Sequence, residues 1–135
     1  MIAVDTSALV AIVLNEPEAP AFLSRLRRAS RAVIGTVSVV EARMVIYGRL
    51  GHRATVLLDD LLRLPAFEIV PTGPAEMEAA WGGVIAYGKG CGHPAGLNFG
   101  DVFAYAVAKV RRLPLLFKGN DFAQTDIVPA MSEIH

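Results

Sequence analysis

Short apolar runs alternate along the chain with longer segments whose apolar residues recur every three or four positions. Met1–Val4 is an apolar run that stops at Asp5, the pattern of a buried strand. Thr6 or Ser7 can cap a helix over Ala8–Leu14, and Pro17 suits the first turn of a second helix running to about Ser30. Ala32–Gly35 reads as a second strand. Ser38–Leu50 reads as a helix closed by Gly51, and Arg53–Leu64 as another that ends at Pro65. Glu68–Val70 is a third short strand, and Pro74 opens a helix through about Tyr87. The segment Gly88–Gly96, GKGCGHPAG, is glycine-rich and expected to be mobile. A helix over Gly100–Arg112, a fourth strand over Leu115–Phe117, a KGND turn and a short tail complete the chain.

Strands alternating with helices predict a three-layer α/β/α domain around a parallel sheet of about four or five short strands. With no repeat or linker in view, the 135 residues are expected to form one domain over 1–135.

Composition changes this picture in three places. Apolar residues make up 53% of the chain, above the usual level. The surplus suits a sheet buried on both faces, an apolar partner surface, or both. Leu9, Val10, Val13, Leu14, Phe22 and Leu26 carry it on the first two helices, as core with room for a partner groove or a homodimer seam. Thirteen basic and thirteen acidic residues cancel, so any nucleic-acid contact must come from local clustering. Arg25, Arg27, Arg28 and Arg31 read as a solvated face. Cys91 is the single cysteine, which excludes an intrachain disulfide and argues against a Cys-based zinc site. The apolar run over Ala8–Leu14 is too short to span a bilayer, so the expectation is a soluble, cytoplasmic protein.

The candidate chemistry lies in the acids. In open parallel sheets, sites gather beyond the carboxyl ends of the strands. That rule selects Asp5 after the first strand, Glu41 near the start of the helix after the second, Asp101 at the head of the apolar run LNFGDVFAYAVAK, and Asp121 after the fourth strand. Each also has a plain role. Asn98 and Asp101 fit a capping box, as do Ser38 and Glu41; Asp5 can cap a helix; Asp121 can serve a turn. Glu41, however, has Met44 and Val45 at i+3 and i+4 rather than a basic partner. Asp126, further from the turn, ranks fifth.

The coincidence favours function. Two charges at about 4 Å repel by roughly 4 kcal/mol at an effective dielectric of about 20. Several such pairs rival a domain's whole stability of about 5–15 kcal/mol. Unless some acids are protonated, the cluster needs a cation, and all-oxygen donors favour Mg²⁺ or Mn²⁺ over zinc. Such a site suits phosphodiester hydrolysis. No P-loop order is present. His52, His93 and His135 are scattered, without a Ser-His-Asp arrangement.

Taken in order, MIAVDTSALVAIVLNEPEA, SVVEA, GLNFGDVFAYAVAK and PLLFKGNDFAQTDI resemble the PIN-domain ribonucleases, and within them the VapC toxins of VapBC toxin–antitoxin modules. The resemblance covers nearly the whole chain. It places the family's acidic site at Asp5, Glu41, Asp101 and Asp121. The small hydroxyl after the first acid falls on Thr6 or Ser7, and the polar residue of the L-N-x-G-D motif on Asn98. Val102 stands where many members have Cys. The resemblance implies a PIN-like fold and metal-dependent endoribonuclease activity with Mg²⁺ or Mn²⁺, on transfer or ribosomal RNA. It also implies a VapB-type antitoxin as partner and a homodimer that joins it in a hetero-oligomer. Arg43, Arg49, Lys89, Lys109 and Lys118 are the candidate RNA-binding cations, with Arg111 and Arg112 beside them; solubility is their plain reading. Two alternatives stay open: another metal-dependent phosphohydrolase and a non-catalytic PIN-like RNA-binding module. A phosphatase of the D-x-D type would need an acid where Ser7 stands.

Overall fold

A computed structural model describes residues 1–131; Glu133 and His135 lie outside the described residues. In chain order the elements are β1 (Ile2–Val4), α1 (Thr6–Val13), α2 (Ala19–Arg28), β2 (Ala32–Gly35), α3 (Thr36–Leu50), α4 (His52–Leu62), β3 (Phe67–Val70), α5 (Pro74–Tyr87), α6 (Phe99–Arg111), β4 (Leu115–Leu116) and a 3₁₀ turn over Phe122–Gln124. The strands are ordered β3-β2-β1-β4, and every pairing is parallel.

Side chains alternate across a strand, and here both faces are buried. Ile2, Val4, Ala32, Ile34 and Leu116 face a core completed by α1, α2, α3 and α4. Ala3, Val33, Val70 and Leu115 face the opposite core, built on α5 and α6. This is the expected three-layer arrangement, with four strands. Leu9, Val10, Phe22 and Leu26 are core residues, and Val13 and Leu14 are partly buried against them. Arg27 and Arg28 are exposed, Arg31 pairs with Glu68, and Arg25 donates to the Ala130 carbonyl.

Two local expectations are corrected. Helix α1 is capped by Asp5 rather than by Thr6 or Ser7: Asp5 Oδ2 accepts the Ser7 N–H at 3.0 Å. Ser38 and Glu41 do not form a capping box, because α3 starts at Thr36 directly from Gly35, leaving Ser38 buried inside the first turn. The Gly88–Gly96 segment is a loop whose two ends are tied together. Lys89 N–H donates to the Leu97 carbonyl at 2.8 Å, Leu97 N–H donates to Tyr87 at 2.8 Å, and Ala95 and Leu97 are buried.

Asp126 is a structural clamp. It accepts the Tyr105 hydroxyl at 2.9 Å and pairs with Lys109, fastening the segment after the 3₁₀ turn to α6. Tyr105→Phe is therefore expected to lower stability by about 1–2 kcal/mol, read as a lower urea midpoint with an unchanged slope.

Candidate active site

The carboxyl edge of the sheet gathers three of the four acids. Asp5 follows β1, and its own N–H bonds the Leu116 carbonyl at 2.9 Å, so the pairing of β1 with β4 fixes its backbone. Glu41 comes from α3 on one face of the sheet, and Asp101 from the first turn of α6 on the other. Asp5, Thr6, Ser7, Val10, Glu41, Val45 and Asp101 line one cleft of about 210 Å³. Asp121 is exposed after β4 and does not line this cleft, although its negative charge reaches Asp101. Among the described residues, no three His, Cys, Asp or Glu side chains converge tightly enough to ligate one ion as they stand.

Two adjacent hydroxyls tie the rim together. Thr6 Oγ1 donates to the Ser38 carbonyl at 3.0 Å, fastening α1 to the helix that carries Glu41. Ser7 Oγ donates to Asp5 Oδ2 at 2.6 Å and accepts the Lys118 N–H at 3.0 Å, which joins Asp5 to the turn that carries Asp121. Only the types of these residues were legible in the sequence; the bonds from Thr6 to Ser38 and from Lys118 to Ser7 span too much chain to be read locally.

Asp101 does form the capping box expected of it. Its N–H donates to Asn98 Oδ1 at 2.9 Å, and Asn98 N–H donates to Asp101 Oδ2 at 3.0 Å. One carboxylate oxygen of Asp101 is thereby held and the other is left for the cleft. Asn98→Ala removes half of this box and should cost about 1 kcal/mol in thermal or urea unfolding.

The electrostatics are those of a site built to hold charge in short supply of solvent. Burial pushes the Asp5 carboxyl up to about 7, against the two hydrogen bonds from Ser7, with the charges of Asp101 and Glu41 adding to the rise. Asp101 is also raised, first by burial, against the Asn98 N–H bond, and further by Asp121 and Glu41. Asp5 Oδ1 is buried with no hydrogen-bond partner. An orphaned carboxylate oxygen on a residue that shares a cleft with two further carboxylates fits a hard cation, which takes oxygen donors.

The candidate cations are spread around the surface. Arg43 pairs with Asp59 at 3.3 Å, Lys109 with Asp126, and Lys118 with both Glu16 and Glu18 at 3.1 Å. Arg49 and Lys89 are exposed. Exposed pairs of this kind are worth about 0–1 kcal/mol, so they can be exchanged for phosphate contacts at little cost. Arg111 reaches Glu76 at 3.9 Å, and Arg112 ends α6 in the left-handed region.

The PIN-domain family profile matches residues 2–128. The VapC ribonuclease Mb0625 of Mycobacterium bovis is 38% identical over 128 residues, covering 95% of this chain and 96% of the relative. The chain belongs to the VapC family of PIN-domain ribonucleases. Solved VapC structures share its fold. Mycobacterium tuberculosis VapC20, described as a sarcin–ricin loop cleaving toxin, superposes with a TM-score of 0.78 at 17% identity, over 95% of this chain and 97% of that one. The VapBC2 complex of Rickettsia felis, bound to a DNA fragment from its promoter, matches with a TM-score of 0.73 at 15% identity, over 96% of each chain. Among the described residues of this VapC-family chain, no helix is long and apolar enough to cross a membrane.

Proposed function

We propose that this chain is the toxin of a VapBC-type module: a cytoplasmic endoribonuclease of one PIN domain over 1–135 that hydrolyses RNA phosphodiesters, in transfer or ribosomal RNA, with Mg²⁺ or Mn²⁺. The observation that carries the reading is the cleft lined by Asp5, Glu41 and Asp101, with Asp5 Oδ1 buried and unpartnered. Asp5, Glu41 and Asp101 would hold the ion, with Asp121 acting from the rim. A bound divalent cation would acidify an attacking water and offset the charge that grows on the phosphate and the leaving oxygen.

The remaining roles belong to the protein. Ser7 aims Asp5, Asn98 aims Asp101, and Thr6 holds the Glu41 helix against α1. Because Ser7 Oγ already donates to Asp5 and accepts from Lys118, it is an aligning group rather than a phosphate contact. Arg43, Arg49, Lys89, Lys109 and Lys118 would bind the RNA backbone, which makes affinity fall with rising salt. A VapB-type antitoxin would cover the site, and the apolar residues exposed on α3 and α5, among them Met44, Tyr47, Trp81 and Ile85, leave surface for a homodimer or a hetero-oligomer.

The test is incubation of the purified chain with a mixed tRNA and rRNA pool in Mg²⁺ or Mn²⁺, with a chelator as control. Internal cleavage that leaves 5′-phosphate ends and stops with the chelator is the expected result. RNA binding without any metal-dependent cleavage would overturn the enzymatic reading in favour of a binding module.

A further inference from the structure

Gly100 occupies the second position of α6, buried between Phe99 and Asp101. Its backbone does not call for glycine. Positive φ values occur at Gly51, Gly90, Gly92, Gly96 and Gly119, and Gly100 is not among them. Helix propensity alone would favour alanine at this position. What a side chain would meet there is Glu41. A Cβ placed on Gly100 would overlap Oε2 and Cδ of Glu41 and come within 2.7 Å of Oε1, so the obstacle is the whole carboxylate. Gly35 and Gly83 also face close neighbours, but these are the Val107 methyl and the Tyr105 ring, each at 2.9 Å, which is hydrocarbon packing.

We infer that Gly100 is a positioning residue: its bare Cα is the seat of the Glu41 carboxylate, and it sets where Glu41 stands relative to Asp101. The two acids reach the cleft from opposite faces of the sheet, Glu41 on α3 and Asp101 on α6. These helices meet past the carboxyl ends of the strands, and Gly100 is where Glu41 touches down. A methyl group there swings the carboxylate away, because the carboxylate is the free end of a flexible side chain, or else separates α3 from α6. Either movement changes the spacing of the acids without removing one. The seat is a steric feature of this fold; its bearing on the metal rests on the proposed role of Glu41 as a ligand.

The test places Gly100→Ala in three backgrounds: wild type, Glu41→Gln, which keeps the shape, and Glu41→Ala, which empties the seat. Thermal unfolding without metal is the first readout. Gly100→Ala should be less favourable to Tm in the wild-type and Glu41→Gln backgrounds than in Glu41→Ala, where it should leave Tm unchanged or raise it. The second readout is calorimetric titration with Mn²⁺ alone. In the wild-type background Gly100→Ala should weaken Mn²⁺ binding by about tenfold or more, the usual scale for a residue that orients a ligand. In the Glu41→Ala background the further change should be below about twofold, since the two substitutions act through one contact. Equal Tm changes in all three backgrounds would overturn the seat. An unchanged Mn²⁺ affinity for Gly100→Ala in the wild-type background would overturn its positioning role. A wild-type chain that binds no Mn²⁺ would instead sink the ligand role of Glu41, and the Tm comparison would still decide the seat.

Discussion

With Mn²⁺ present, Asp101→Asn cleaves RNA at least about a hundredfold more slowly than the wild-type chain. The expectation rests on what the substitution keeps. Asn98 N–H donates to a side-chain oxygen of residue 101, and an amide oxygen can accept it as the carboxylate does. The first turn of α6 is therefore capped in both proteins, and the lost quantity is one negative charge at the cleft. Loss of a charge aimed at the reacting centre is worth roughly 3–4 kcal/mol, and each 1.36 kcal/mol or so is tenfold in rate. Asp60→Asn is the control. Asp60 is an exposed acid 3.6 Å from Arg63, outside the residues lining the cleft, and its loss should leave the rate unchanged. Equal rates for Asp101→Asn and wild type would remove Asp101 from the site.

Asp5→Asn should make the metal-free protein more stable at neutral pH while abolishing cleavage. The carboxyl of Asp5 rises from 3.8 to about 7 on folding, so the stability it permits is fully present below about pH 4 and is lost as pH climbs through about 7. Through that window the unfolded chain has released its proton and the folded chain still holds it. A rise of about three units corresponds to a loss of up to roughly 4 kcal/mol by pH 8. Asparagine carries no proton to lose, caps α1 as well as aspartate does, and can keep the bonds to Ser7. Urea unfolding between pH 4 and pH 8 should show wild type losing stability and Asp5→Asn losing much less; Asp101, also raised, leaves a smaller slope of the same sign. Mn²⁺ should then restore wild type and do little for the variant, since only a state that binds the ion gains from it. Parallel pH curves for the two proteins would show that Asp5 does not carry the burden of burial.

The parts of the fold that local pattern could reveal were those with one dominant cause. β1 and β2 read clearly because both of their faces are buried, which leaves an unbroken apolar run. β3 starts one residue before its expected position, at Phe67. It lies at the sheet edge, where Glu68 and Ile69 are exposed and blur the run. α3 starts before Ser38, which has the sequence of a cap, because Gly35 leads straight from strand to helix and buries it. Asp5, Glu41 and Asp101 could be assigned to one edge from topology alone, and they do line one cleft. Asp121 was assigned by the same rule, yet a turn after β4 leaves it exposed, because the rule fixes the edge and not the reach of a side chain. Of Met44 and Val45, the two apolar neighbours that singled out Glu41, only Val45 lines the cleft; Met44 is 69% exposed. The dependence of Glu41 on Gly100 was invisible, since it joins residues on different helices packed against different faces.

The bond from Lys118 N–H to Ser7 joins positions separated by 111 residues, and β1 pairs with β4 across a similar span. Chains made on a ribosome acquire structure from the N-terminal side at about 5–20 residues per second. Asp5 is therefore made well before the strand that fixes its backbone and the turn that holds Ser7. Until β4 has been made β1 can pair only with β2, and Asp5 lacks the Leu116 carbonyl that fixes its backbone. A chain that cuts RNA would in this way be built with its blade unset until its fourth strand has been made.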